Sequence, residues 1–105
     1  MKKPITIAID AMGGDNSPNK VIEGISIHSN LSSNVIYRVF GDESLINPLI
    51  KKYRISNDRY QLHHTDKIVE GEDSALAAAK RGKDTSLWLA VESLKKNNAD
   101  AIVSA

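Results

Sequence analysis

The run Ile5-Thr6-Ile7-Ala8-Ile9-Asp10, followed at once by Ala11-Met12-Gly13-Gly14-Asp15-Asn16-Ser17-Pro18, constrains the fold more than any other part of the chain. Three β-branched isoleucines alternate with small residues, which suits a strand covered on both faces. Gly13 and Gly14 can adopt backbone angles that other residues avoid, and they leave room for a ligand to approach the main chain. Ser17 is a good N-cap, and Pro18 fits the first helical position, where its missing N–H costs nothing. Free N–H groups at a helix start attract anions. The first strand is therefore expected to end in a turn suited to phosphate.

The rest of the chain repeats this alternation. Four strand-like runs are interleaved with helix-like ones, which predicts an α/β fold with a parallel sheet. The strands are expected at Ile5–Asp10, Val35–Phe40, Tyr60–His64 and Ala101–Ser104. Val21, Ile22, Ile25 and His28, spaced by three and four, predict a first helix over Pro18–Asn30. A second helix ends near Tyr53. Pro48 either begins it, with Asn47 as cap, or kinks a helix begun near Glu43. Asp73 is expected to cap a short helix, Ser74–Arg81, stopped by Gly82. Asp84-Thr85-Ser86 opens the last helix, expected to reach Asn98 with Leu87, Ala90, Val91 and Leu94 facing inward. Glu92 and Lys96, four apart on its outer face, can pair at about 0.3–0.5 kcal/mol. Right-handed crossovers put the carboxyl ends of parallel strands on one edge, where α/β proteins bind ligands. Asp10, Gly41, the loop after His64 and Ser104 are expected to gather there.

Composition excludes several classes of function. A chain of 105 residues is at most one domain, and 41% hydrophobic with 26% charged residues is ordinary for a globular protein. A net charge of +1 gives no case for nucleic-acid binding. The absence of cysteine rules out disulfides, thiol catalysis and thiolate metal sites in this segment, and fits a cytoplasmic location. Met1-Lys2-Lys3-Pro4 is followed by too short an apolar run for a signal peptide. No apolar run approaches the roughly 18–20 residues of a membrane span, so any membrane contact is expected to be peripheral.

Two motifs carry candidate chemistry. Asp10 and Asp15 flank the two glycines. Either Asp10 orients a ligand or a catalytic water while Gly13 and Gly14 offer N–H groups to phosphate, or Asp10 caps the turn and Asp15 or Ser17 caps the next helix. A carboxylate repels phosphate unless a cation, a proton or donors lie nearby. The motif matches neither the Walker A loop nor the dinucleotide Gly-x-Gly-x-x-Gly pattern. Lys83-Asp84-Thr85-Ser86 offers a lysine and two hydroxyls at a helix start, suited to an oxyanion or to plain capping. Lys80, Arg81 and Lys83 form a basic cluster that is either a solvated helix end or a dock for an acidic partner. His63 and His64 point to opposite faces of a strand and are not expected to chelate one metal ion. Trp88 is expected to pack beside the inward stripe with its N–H at the surface.

Ala8-Ile9-Asp10-Ala11-Met12-Gly13-Gly14-Asp15 resembles the opening of the PlsX family, the bacterial phosphate acyltransferases. Gly41-Asp42, Lys83-Asp84-Thr85-Ser86 and Asn98-Ala99-Asp100-Ala101-Ile102-Val103-Ser104-Ala105 resemble later stretches of the same family. The resemblance spans the chain, which looks like the N-terminal third of such a protein, the front part of one α/β domain. It implies a Rossmann-like three-layer fold of the isocitrate/isopropylmalate dehydrogenase type, cut after the fourth strand. It also implies acyl transfer from acyl carrier protein to inorganic phosphate, giving acyl phosphate for phospholipid synthesis. The phosphate or substrate site would involve Asp10, Gly13, Gly14, Asp15, Lys83, Thr85, Ser86 and Ser104, with no metal and no cofactor. A homodimer and a cytoplasmic location, peripheral to the inner membrane face, are further implications. The 105 residues alone are expected to be inactive and to expose the flank of strand four. Two other readings stay open: a phosphotransacetylase-like enzyme of the same fold group, and a non-catalytic binding or dimerisation module.

Overall fold

The computed structural model describes residues 3–67 and 85–104. Four parallel strands form one sheet in the order β3-β2-β1-β4. They are β1 (Ile5–Asp10), β2 (Val35–Gly41), β3 (Tyr60–His64) and β4 (Ala101–Val103). The register sets Asp10 beside Phe40, Phe40 beside His63, and Ile9 beside Val103. The carboxyl ends of all four strands therefore share one edge, and the order reverses direction between β1 and β4. In an open α/β sheet such a reversal leaves a crevice suited to ligands.

Alternation along β1 and β2 sorts the core into two layers. Ile9, Val35, Tyr37 and Val39 pack with Ile22 and Ile25 of helix α1 (Asn19–Leu31) and with Ile46 and Ile50 of α2 (Glu43–Lys52). Ala8 and Phe40, from the opposite face, pack with Ala90 of α3 (Ser86–Lys95) and with Ala99. The sheet is thus covered on both sides, the Rossmann-like layout expected from its β-branched strands.

Several expectations change in detail. Helix α1 starts at Asn19, after a cis Ser17–Pro18 peptide. Ser17 does not cap it, because its hydroxyl donates to the Gly13 carbonyl inside the preceding turn. Pro48 lies within α2, and Asp42 caps that helix by accepting from Ser44 N at 2.9 Å. The buried face of α3 is Ser86, Ala90 and Ser93, whereas Leu87, Val91 and Leu94 are only half-buried. Small side chains let the helix lie close on Ala8 and Phe40, so its packing face is not its most apolar one. The strand expected to reach Ser104 ends at Val103, and Ala101 and Val103 are exposed. The expected helix Ser74–Arg81, its Asp73 cap and Gly82 stop, and the cluster of Lys80, Arg81 and Lys83 lie outside the described residues. No described helix is long and apolar enough to cross a membrane.

Candidate functional site

Asp10 closes β1 and points toward the α3 side of the sheet, where it is 4% exposed. A carboxyl group so deeply buried requires hydrogen-bond donors. Two distant segments and the adjoining turn supply them. Ser86 Oγ, at the start of α3, donates to Asp10 Oδ1 at 2.5 Å. Ser104 Oγ, just past β4, donates to Oδ2 at 3.0 Å. The Met12 N–H, in the turn after β1, donates to Oδ1 at 3.1 Å. Asp10 therefore ties together both strands that flank the reversal in strand order and the helix that leads into β4.

The neighbouring turns are built around this hub. Gly14 has φ 83°, a left-handed conformation that glycine adopts without strain. The Ala11 N–H continues the ladder onto the Phe40 carbonyl at 3.0 Å before the chain turns away. Thr85, 3% exposed, caps α3 by accepting from Trp88 N at 3.2 Å. The Ser86 N–H is held by the Lys67 carbonyl at 3.0 Å, which fixes the helix start beside the end of β3. Thr85 and Ser86 are thus placed at the edge, with their polar atoms engaged in structure.

Of the residues singled out from sequence, Asp10, Ser86 and Ser104 come together directly, and Thr85 adjoins them. Gly13 and Gly14 follow in the turn after Met12. Asp15 is exposed and lines an apolar groove with Ile7, Ile9 and Val103, on the α1 side of the sheet and away from Asp10. Lys83 lies outside the described residues. The sequence reading did not identify Asp10 as the common acceptor of two serines. The available signal was three short polar residues at predicted element ends on one sheet edge.

The two histidines diverge, as adjacent strand residues do. His63 stacks on Phe40 with ring centroids 5.0 Å apart. Burial, helped by the Arg38 cation, holds its imidazole below the usual histidine pKa. His64 Nδ1 accepts from the Glu43 N–H at 3.1 Å, so its proton is carried on Nε2. Asp42 is held below the ordinary carboxylate range, first by the hydroxyl and N–H of Ser44 and then by His64.

A family described as fatty acid synthesis protein matches residues 5–105. The phosphate acyltransferase of Pelagibacter ubique (strain HTCC1062) is 47% identical over 105 residues, which is 100% of this chain and 31% of that protein. The phosphate acyltransferase of Paramagnetospirillum magneticum (strain ATCC 700264 / AMB-1) is 39% identical over 105 residues, 100% of this chain and 30% of that protein. That of Streptococcus pyogenes serotype M5 (strain Manfredo) is 39% identical over 99 residues, 94% of this chain and 28% of that protein. The chain spans less than a third of the length of each of these relatives. A match that runs from β1 through β4 shows that the chain belongs to the fatty acid synthesis protein family and corresponds to the N-terminal part of its phosphate acyltransferases.

Proposed function

We propose that this chain is the N-terminal part of a single α/β catalytic domain that transfers an acyl group from acyl carrier protein to inorganic phosphate. The observation that carries the reading is the convergence of β1, α3 and β4 on Asp10 at the edge crevice, in a chain whose relatives are named phosphate acyltransferase. In this reaction a phosphate oxygen attacks the thioester carbonyl. A C–O bond forms, the C–S bond breaks, and the carrier thiolate leaves and takes up a proton. The site must hold phosphate in line with the carbonyl and offer donors to the oxyanion that forms.

Asp10 already accepts three hydrogen bonds, from Ser86, Ser104 and Met12. As a carboxylate it would repel phosphate, so its role is to position the crevice walls. Phosphate is then assigned to the backbone N–H groups of the Gly13-Gly14 turn and to donors at the start of α3, with Lys83 supplying charge. Asp15, exposed on the other side, takes no direct contact in this scheme. The completed domain is assigned to the two-lobed isocitrate/isopropylmalate dehydrogenase type, with residues past Ala105 supplying the rest of the cleft. A homodimer that works in the cytoplasm, against the inner membrane face, belongs to the same reading.

The test is phosphate-dependent formation of acyl phosphate from palmitoyl-acyl carrier protein, trapped with hydroxylamine. It is run on the 105-residue chain and on the full-length protein. Hydroxamate from the full-length protein alone is the expected result. No hydroxamate from either, with folded protein and competent acyl donor, sinks the assignment.

A further inference from the structure

A polar cavity of about 540 Å³ lies between α3 and the β2–β3 half of the sheet. Arg38 and His63 reach it from the strands, Ser93 from the helix and Lys96 from the residue that ends it, and Phe40 and Leu89 give it apolar surface. Arg38 Nε, His63 Nε2 and Ser93 Oγ are all buried without a hydrogen-bond partner among the described residues. Ser93 itself is 4% exposed. A buried polar atom left unsatisfied costs about 1–3 kcal/mol, and folded proteins keep few of them. Here three from separate positions border one cavity, which is the pattern of a site whose ligand supplies the missing partners.

The charge of the lining selects the ligand. The Arg38 guanidinium sits 5.9 Å from the Phe40 ring centroid. Lys96 is paired with Glu92 at 2.8 Å, so two cations face one carboxylate and the wall is net positive. His63, held neutral near pH 7 by burial and by Arg38, keeps one N–H to donate. Donors arriving from both strands and the helix suit an anion with several oxygens better than a planar carboxylate. The volume falls in the range of small-molecule sites, and the stacked Phe40–His63 pair offers a flat apolar wall.

We infer that this cavity binds an organic phosphate monoester, with its oxyanion between Arg38 and Lys96 and its body against Phe40 and Leu89. The orphaned atoms lie just under the cavity surface, so engagement involves rotation of the Arg38 and His63 side chains. The site is separate from the Asp10 hub and goes beyond acyl transfer.

The test is binding of phenyl phosphate to the full-length protein by ¹H–¹⁵N and histidine-ring NMR, with no acyl donor present. Inorganic phosphate and phenol serve as the oxyanion-only and ring-only probes. Saturable phenyl phosphate shifts at Arg38 and His63 are expected, with weaker inorganic phosphate shifts at the same residues and none from phenol. Arg38→Gln should weaken phenyl phosphate at least about tenfold, as loss of a charge-assisted pair does. Lys96→Gln, at an exposed position that leaves folding intact, should weaken it severalfold. Absence of phenyl phosphate shifts, equal shifts from phenol, or unchanged affinity in both variants would each overturn the assignment. The result is independent of hydroxamate formation, so failure here and failure of the acyltransferase reading are told apart.

Discussion

At the scale of single residues, Asp10 is the side chain on which most depends. Asp10→Asn keeps the volume but presents an amide N–H to at least one serine hydroxyl that now donates. The full-length protein should lose about 1.5–3 kcal/mol by urea denaturation, the range for hydrogen bonds to a charged group. Acyl phosphate formation should fall at least about tenfold as the crevice walls lose their common anchor. Gly41 is constrained for a different reason. A Cβ placed there would meet Ile46 Cδ1 at 2.7 Å and Met12 Cγ at 2.9 Å. Ile46 is fully buried, so it yields little, while Met12 can turn aside. Gly41→Ala should therefore cost about 1–3 kcal/mol by the same measurement, as overpacking does. His63 makes stability depend on pH. Its folded pKa lies below the unfolded value of 6.5, so the unfolded chain binds its proton first as pH falls. Stability is full above pH 6.5 and declines from there down through the lowered folded pKa. The midpoint of thermal unfolding should fall between pH 7.5 and 5.5, and His63→Gln should flatten that part of the profile.

At the scale of elements, β1 and β3 could be read to the residue from local pattern alone, because Ile5, Ile7 and Ile9 alternate along β1 and Tyr60 and Leu62 flank Gln61 in β3. The Glu92–Lys96 pair was legible for the same local reason, and Glu92 also accepts from Trp88 Nε1 at 3.1 Å, one turn earlier. Two features were not legible. Pro48 fitted either a helix start or a helix interior, and only the Asp42 cap, directly after the end of β2 and closed by Ser44, decides for the interior. The packing face of α3 follows the small residues Ser86, Ala90 and Ser93, which a search for apolar stripes passes over. Pro48→Ala restores a helical N–H in α2 and removes a ring from the helix interior. It should stabilise by about 1–2 kcal/mol, less than the full interior penalty because the unfolded chain gains freedom. Arg59 shows how a turn can lock two elements. Its guanidinium donates to the carbonyls of Val35, Ser29 and Ser32, covering the end of α1 and the start of β2. The Ser29 and Ser32 carbonyls would otherwise be orphans of the helix terminus.

At the scale of the whole molecule, the edge crevice was legible from sequence only as a consequence of parallel topology. Alternating strands and helices imply that Asp10 and Ser104 end on the same edge. They do not imply that β4 lies beside β1 rather than beside β3, and that neighbourhood is what lets the two side chains touch. The strand order also dictates sequence in time. Asp10 and Ser104 are 94 positions apart, and Asp10 and Ser86 are 76 apart. Contacts so remote along the chain form slowly and late, after the local β1-α1-β2 pairing has had time to settle. During synthesis the first strand leaves the ribosome long before its last partner exists, and it stays unpaired on that flank until β4 arrives. The knot of hydroxyls around Asp10 is thus a record of completed folding: a chain stalled at any earlier stage has the glycine turn but not the walls that make it a crevice.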